Sequence, residues 1–300
     1  MDRTIHFISG LPRSGSTLLG ALLRQNPRFQ ASMSSPMGAL TGSMLHTMAP
    51  GGETDMLMEE SQKPRLLRGL FDAFYADSPA EVIFDTNRGW TARLPLLRDL
   101  FPEAKVIACV RDLPWIMDSL ERLIRRAPYQ PTRLFGGPGQ RATVYTRVET
   151  LAQANGLVGY AWSALKEAFY GEQADSLLVV DYTLLARAPE KVLGLIYDFI
   201  GEPWYDGHDF DAVAFDAPEF DAMLGLDGLH RVRPKVALQD RQTILPPDLF
   251  RKYQGMDFWR DVSGSHANVI QATRAGGPAA EESAEKAPFR EAGADDAAGS

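Results

Sequence analysis

Short apolar runs alternate with amphipathic stretches along most of this chain. Runs at Thr4–Ser9, Glu81–Asp85, Lys105–Val110 and Ser176–Asp181 read as strands buried on both faces. Between them, apolar residues recur at helical spacing and predict helices over Thr17–Gln25, Leu94–Leu100, Leu113–Arg126, Arg147–Tyr170 and Pro189–Ile200. The last of these opens with proline, where a missing N–H costs least, and stops at Gly201. Strand and helix in repeated alternation predict an α/β fold with a central parallel sheet flanked by helices in three layers. Residues 31–60 and 202–265 show no clear period. Six of the ten methionines fall between Met33 and Met58, and we read them as adaptable core filler rather than a pocket wall.

Composition changes this picture little: 45% apolar and 23% charged over 300 residues is ordinary for a globular chain. One domain is expected over residues 1–265, followed by an acidic tail over 266–300. From about Gly276 the tail carries six acids and two bases among Ala and Gly, which predicts disorder. No apolar run approaches the ~20 residues needed to span a bilayer. The first ten residues show no cleavage-like signal, so a cytoplasmic location is expected. The lone Cys109 reads as a small core residue. A net charge of −8 argues against nucleic acid as a partner. His6, His46, His208, His230 and His266 show no metal-ligand spacing with each other or with Cys109, and no metal is expected.

The sharpest signal is Gly10-Leu11-Pro12-Arg13-Ser14-Gly15-Ser16-Thr17, placed after a strand and opening a helix. Backbone N–H groups converge on an anion in such a loop, and the helix N-terminus adds partial positive charge. The spacing matches a nucleotide-binding P-loop except that Ser16 stands where lysine belongs, while a cation appears three residues earlier as Arg13. Arg111 closes another apolar strand, at the end where open α/β sheets bind ligands. Ser119 follows eight residues later, about two helical turns on. The two motifs together suggest a ligand with phosphates at two places.

Here the chain resembles the sulfotransferases that use 3′-phosphoadenosine 5′-phosphosulfate (PAPS). Arg13 with Ser14, Gly15, Ser16 and Thr17 is similar to that family's 5′-phosphosulfate loop, and Arg111 with Ser119 to its 3′-phosphate pair. Phe101-Pro102-Glu103-Ala104-Lys105, Val180-Asp181-Tyr182 with Pro189, and Gly201-Glu202-Pro203-Trp204 resemble the branch containing protein-tyrosine sulfotransferases. The resemblance covers residues 4–205 and extends faintly to Arg231-Val232-Arg233-Pro234-Lys235. It implies PAPS as co-substrate, an acceptor hydroxyl, Tyr182 near the adenosine, and Arg233 and Lys235 among the cations closing over the nucleotide. Arg13 then neutralises charge on the leaving oxygen electrostatically, since arginine stays protonated.

The general base is open at this level. That branch carries a glutamate where this chain has Ser32-Met33-Ser34-Ser35-Pro36, and a lysine where Thr86 stands. Arg88 is a candidate for the lost charge and Asp85 for the base, Asp85 reading equally well as a turn residue. His46 and His230 have suitable intrinsic pKa values. A P-loop kinase of a small substrate and a non-catalytic nucleotide-binding protein are the competing readings. Finally, Arg122, Arg125, Arg126, Arg133, Arg141 and Arg147 face one acid, Glu121, in the segment 121–147. Either they form a solvated face, or they attract an anionic acceptor such as an acidic peptide, a glycan or a charged lipid.

Overall fold

The computed structural model describes residues 3–127, 129 and 132–273, and the backbone of 283–286. Seven strands form one sheet: β1 (Thr4–Gly10), β2 (Phe29–Ala31), β3 (Val82–Thr86), β4 (Val106–Val110), β5 (Leu177–Asp181), β6 (Asn268–Thr273) and β7 (Ser283–Lys286). Their order is β2-β3-β1-β4-β5-β6-β7. All neighbours run parallel except β6 and β7. Alternate residues of β1 serve opposite faces. Phe7 packs with Phe71, Trp90 and Phe169, whereas Ile8 packs with Leu19, Leu22 and Tyr197. The sheet is therefore the middle of three layers, a P-loop-like α/β fold, and no helix among the described residues is long and apolar enough to cross a membrane.

Two expectations need correction. The helix expected over Arg147–Tyr170 is two, Val144–Ala152 and Leu157–Tyr170. A Cβ at Gly156 would lie 2.2 Å from the Thr150 carbonyl oxygen, so the chain turns there against its own preceding helix. The ordered sheet also runs past residue 265. β6 buries Val269 and Ile270 and pairs with β5, but its short apolar run merges in the sequence with the small residues of the tail. The remaining stretches, 274–282 and 287–300, where disorder is expected, lie outside the described residues. Of the methionines, Met37 and Met48 are buried as expected of filler, Met56 is exposed, and Met33 lines the cavity described next.

Candidate active site

The loop between β1 and the helix Ser16–Leu23 is shaped by three residues at positive φ: Gly10 (102°), Arg13 (59°) and Gly15 (97°). At Gly10 the backbone passes so close to β4 that an added Cβ would sit 2.2 Å from the Cys109 carbonyl oxygen. Gly10→Ala is accordingly expected to destabilise the fold by roughly 3 kcal/mol or more, from combined backbone strain and overlap. An unfolding free energy from denaturant titration within ~1 kcal/mol of the parent protein would show that loop and strand can separate freely. Ser14 braces the loop: its buried hydroxyl lies 2.5 Å from the Leu11 carbonyl oxygen and 2.8 Å from that of Cys109. Its side chain therefore does not line the cavity, leaving only its backbone for a ligand. Ser16 and Thr17 do line it, at the helix start where first-turn N–H groups lack intrahelical partners.

That cavity, of about 410 Å³, lies at the C-terminal ends of β1, β3 and β4. It brings both sequence motifs together. Arg13 Nε donates to Ser119 Oγ at 3.1 Å, and Arg13 also bonds the Leu229 carbonyl. Arg111 stacks its guanidinium 4.5 Å from the Tyr182 ring centroid, and Tyr182 lies against Gly15, where a Cβ would meet it at 2.9 Å. Arg13, Arg88, Arg111, Arg231, Arg233, Lys235 and Arg241 all line the space, and among the described residues no Asp or Glu does. Arg231 and Lys235 pair outward with Asp216 and Asp211. Burial, reinforced by Arg111, lowers the Arg13 pKa to about 10. Burial also lowers the pKa of Arg111 and of Arg241.

The irregular segment after residue 205 closes the cavity. Val232 donates to Phe215, Val213 to Pro234 and Val236 to Phe210 through the backbone at 2.8–2.9 Å. This pairing holds Arg231, Arg233 and Lys235 along the rim. Arg241, which sequence reasoning missed, is held 2.8 Å from buried Asp118. Asp118 also accepts from the Thr243 hydroxyl and the Ile244 backbone. The buried Nε of Arg241 has no hydrogen-bond acceptor among the described residues, while its Nη2 meets the Asp118 carboxylate as an ion pair.

The same segment supplies an acid–imidazole pair. His230 Nδ1 lies 2.5 Å from Asp221 Oδ1, and its backbone N–H donates to Asp221 Oδ2 at 2.9 Å. Asp221 is fully buried, and the imidazole lines the cavity. A carboxylate on Nδ1 fixes the proton there and leaves Nε2 as an acceptor. Burial outweighs Asp221 and holds the His230 pKa below its ordinary value.

Other candidates are not brought to the site. Asp85 is fully buried and does not line the cavity. It accepts from Tyr75 OH at 2.6 Å, Ser35 Oγ at 2.7 Å and Trp90 Nε1 at 2.8 Å. Asp85 is thus an anchor under the site, its two oxygens holding three donors from neighbouring side chains. His46 is exposed on the helix Met37–Thr47, away from the cavity. The arginines of 121–147 lie outside the cavity as well. Arg125 and Arg147 both pair with buried Glu121, and Arg122 with Asp118. Those three arginines neutralise buried acids of the helix Leu113–Arg126, Arg147 reaching across from the helix Val144–Ala152, which is why the segment reads as a positive field in the sequence without presenting one to the site.

The model of the sulfotransferase family matches residues 6–206. Protein-tyrosine sulfotransferase 1 of Danio rerio is 25% identical over 222 residues, covering 68% of this chain and 55% of that protein. The chain thus spans little more than half the length of that curated relative. Among solved structures, the sulfotransferase domain of the Synechococcus PCC 7002 olefin synthase aligns with a TM-score of 0.46 at 20% identity, covering 85% of this chain and 89% of that one. A sulfotransferase from Alicyclobacillus acidocaldarius aligns with a TM-score of 0.46 at 13% identity, covering 84% and 90%. With a family match running from β1 through the helix after β5, this chain belongs to the sulfotransferase family.

Proposed function

We propose that the protein transfers a sulfuryl group from PAPS to an acceptor hydroxyl. One observation carries this reading: two anion-binding motifs, remote in sequence, meet through Arg13 and Ser119 in a cavity lined by cations and, among the described residues, by no carboxylate. The residues fit such a nucleotide. Arg241 has a buried Nε in want of an acceptor, Arg13, Ser16, Thr17 and the loop N–H groups suit the phosphosulfate, and Arg111 with Ser119 suits the 3′-phosphate. Tyr182 offers its ring to the adenosine, and Arg233 and Lys235 border the opening. When bound, the donor supplies an activated sulfate whose bond to a phosphate oxygen breaks as the bond to the acceptor oxygen forms.

Arg13 stabilises the negative charge on the departing phosphate oxygen without giving up its proton. His230 accepts the hydroxyl proton at Nε2, and Asp221 stabilises the imidazolium that results. Arg88, beside His230 in the cavity, contributes charge near the acceptor and has no carboxylate partner among the described residues. A kinase would need the missing P-loop lysine, and Ser16 cannot replace its charge.

The donor assignment is tested by thermal denaturation. 3′-Phosphoadenosine 5′-phosphate (PAP) is expected to raise Tm, by about 2.7 kcal/mol of stabilisation at a hundredfold excess over its Kd, and ADP much less. Arg111→Ala should weaken PAP binding by ~2–3 kcal/mol, as for a lost charge-assisted hydrogen bond. Equal shifts from both nucleotides would remove Arg111 and Ser119 from the 3′-phosphate, and a preference for ATP–Mg²⁺ would favour the kinase.

A further inference from the structure

The side of the cavity nearest His230 differs from the rest. The helix Pro218–Leu224 supplies Phe220 and Leu224 to its wall. The Phe220 ring meets the imidazole of His230 at 5.5 Å between centroids. The turn at Gly225, with φ 67°, then folds Leu226 inward, its N–H bonded to the Asp221 carbonyl at 3.0 Å. Arg133 donates its backbone N–H to the Leu224 carbonyl at 3.2 Å, which draws Leu134 alongside. Leu157 joins them from the start of the helix Leu157–Tyr170, which packs on the turn carrying Arg88. Five apolar side chains thus line the cavity that His230 enters, Phe220 in direct ring contact with the imidazole. Besides Arg13, which the proposed chemistry occupies, Arg88 acts on His230 electrostatically, while the adjoining Arg231 is paired with Asp216. The arginines that would greet an acidic peptide are either spent on Asp118 and Glu121 or, like Arg126 and Arg133, exposed outside the cavity.

We infer that the acceptor subsite, bounded by Leu134, Leu157, Phe220, Leu224 and Leu226 around His230, takes an uncharged hydroxyl carried on an apolar body, an alkyl or aryl alcohol, rather than an acidic tyrosine peptide or a charged glycan. The inference rests on the proposed sulfuryl transfer but concerns only its second substrate. An apolar wall cannot reward a carboxylate for leaving water, and dehydrating that charge next to leucine and phenylalanine is unfavourable. An alkyl chain gains with each methylene removed from water. The hydroxyl is the one polar group such a ligand carries, and His230 Nε2 is the acceptor positioned for it.

The experiment titrates the protein, saturated with PAP, with n-alkan-1-ols from butanol to octanol and with a tyrosine peptide flanked by glutamates. Binding is read by calorimetry and needs no turnover. Kd is expected to fall about fourfold per added methylene, from ~0.8 kcal/mol per buried CH₂, with the peptide weaker than octanol. Phe220→Ser, at a ring 36% exposed and so compatible with folding, should weaken octanol about tenfold or more. PAP binding should stay unchanged in that variant. A Kd independent of chain length, no alcohol binding at all, or a peptide bound more tightly than octanol would overturn the inference while leaving the donor reading intact. Failure of PAP to bind strikes the donor reading instead, and is seen before any acceptor is added.

Discussion

Arg13→Ala is expected to lower turnover at saturating donor by roughly 10²–10³-fold, the usual loss when one charge-stabilising group is removed from a transition state. The substitution should weaken donor binding far less, because Arg111, Arg241 and the loop N–H groups remain on the nucleotide. Arg13 also shapes its surroundings, through Ser119 and the Leu229 carbonyl, and it holds φ at 59°. Arg13→Gly separates the two roles, since glycine adopts that φ without strain and lacks the charge. Both variants should be equally slow. If Arg13→Ala turned over at near the parental rate, or if glycine restored it, Arg13 would be a loop-shaping residue and the electrostatic mechanism wrong.

The second large effect is at His230. Glutamine there should reduce kcat by roughly 10²–10⁴-fold, the range for losing a positioned general base. The pH profile gives a more selective readout. Burial keeps the His230 pKa below its ordinary 6.5, so the neutral, proton-accepting imidazole is present throughout the neutral range. The rate should fall only as pH drops through a value below 6.5, and that acid limb should vanish in His230→Gln. In the proposed chemistry Asp221 would act through His230. Asp221→Asn, which can donate to Nδ1 and move the proton to Nε2, should depress kcat with little change in PAP affinity. Retention of parental kcat and acid limb in His230→Gln would exclude this pair from the chemistry.

The parts of the site legible in the sequence are those written locally. Gly10 to Thr17 and Arg111 to Ser119 each lie within one strand–turn–helix unit, where spacing alone fixes which side chains share an end of the sheet. His230, Asp221 and Arg241 come from a stretch without helical or strand period. It is held by backbone bonds such as Val213 to Pro234 and by Asp118 reaching Ile244 across 126 positions. No local pattern encodes such a pairing. The role suggested for Asp85 failed for a related reason. A carboxylate at a strand end looks available until Tyr75, Ser35 and Trp90, brought in from elsewhere, have taken its lone pairs. The basic segment misled because Asp118 and Glu121 are buried, and a buried acid binds its arginines more strongly than a charge count implies.

The acid-free lining also sets a stability cost on the idle enzyme. With no anion between them, Arg13, Arg111 and Arg241 repel one another, and burial weakens the hydration that would offset this. The lowering of the Arg13 pKa to about 10 has a definite sign: the charged form is less welcome in the folded protein than in the unfolded chain. That penalty stands across the whole physiological range and would ease only as pH rises through about 10 and beyond. The residues proposed to hold the donor are therefore ones whose charge the fold accommodates at a cost, as expected when activity and stability compete for the same residues. Sulfate and phosphate buffers should relieve part of that cost. They would make the protein look sturdier in a melting experiment while competing with the donor in an assay, so its resting stability depends on the salt in which it is handled.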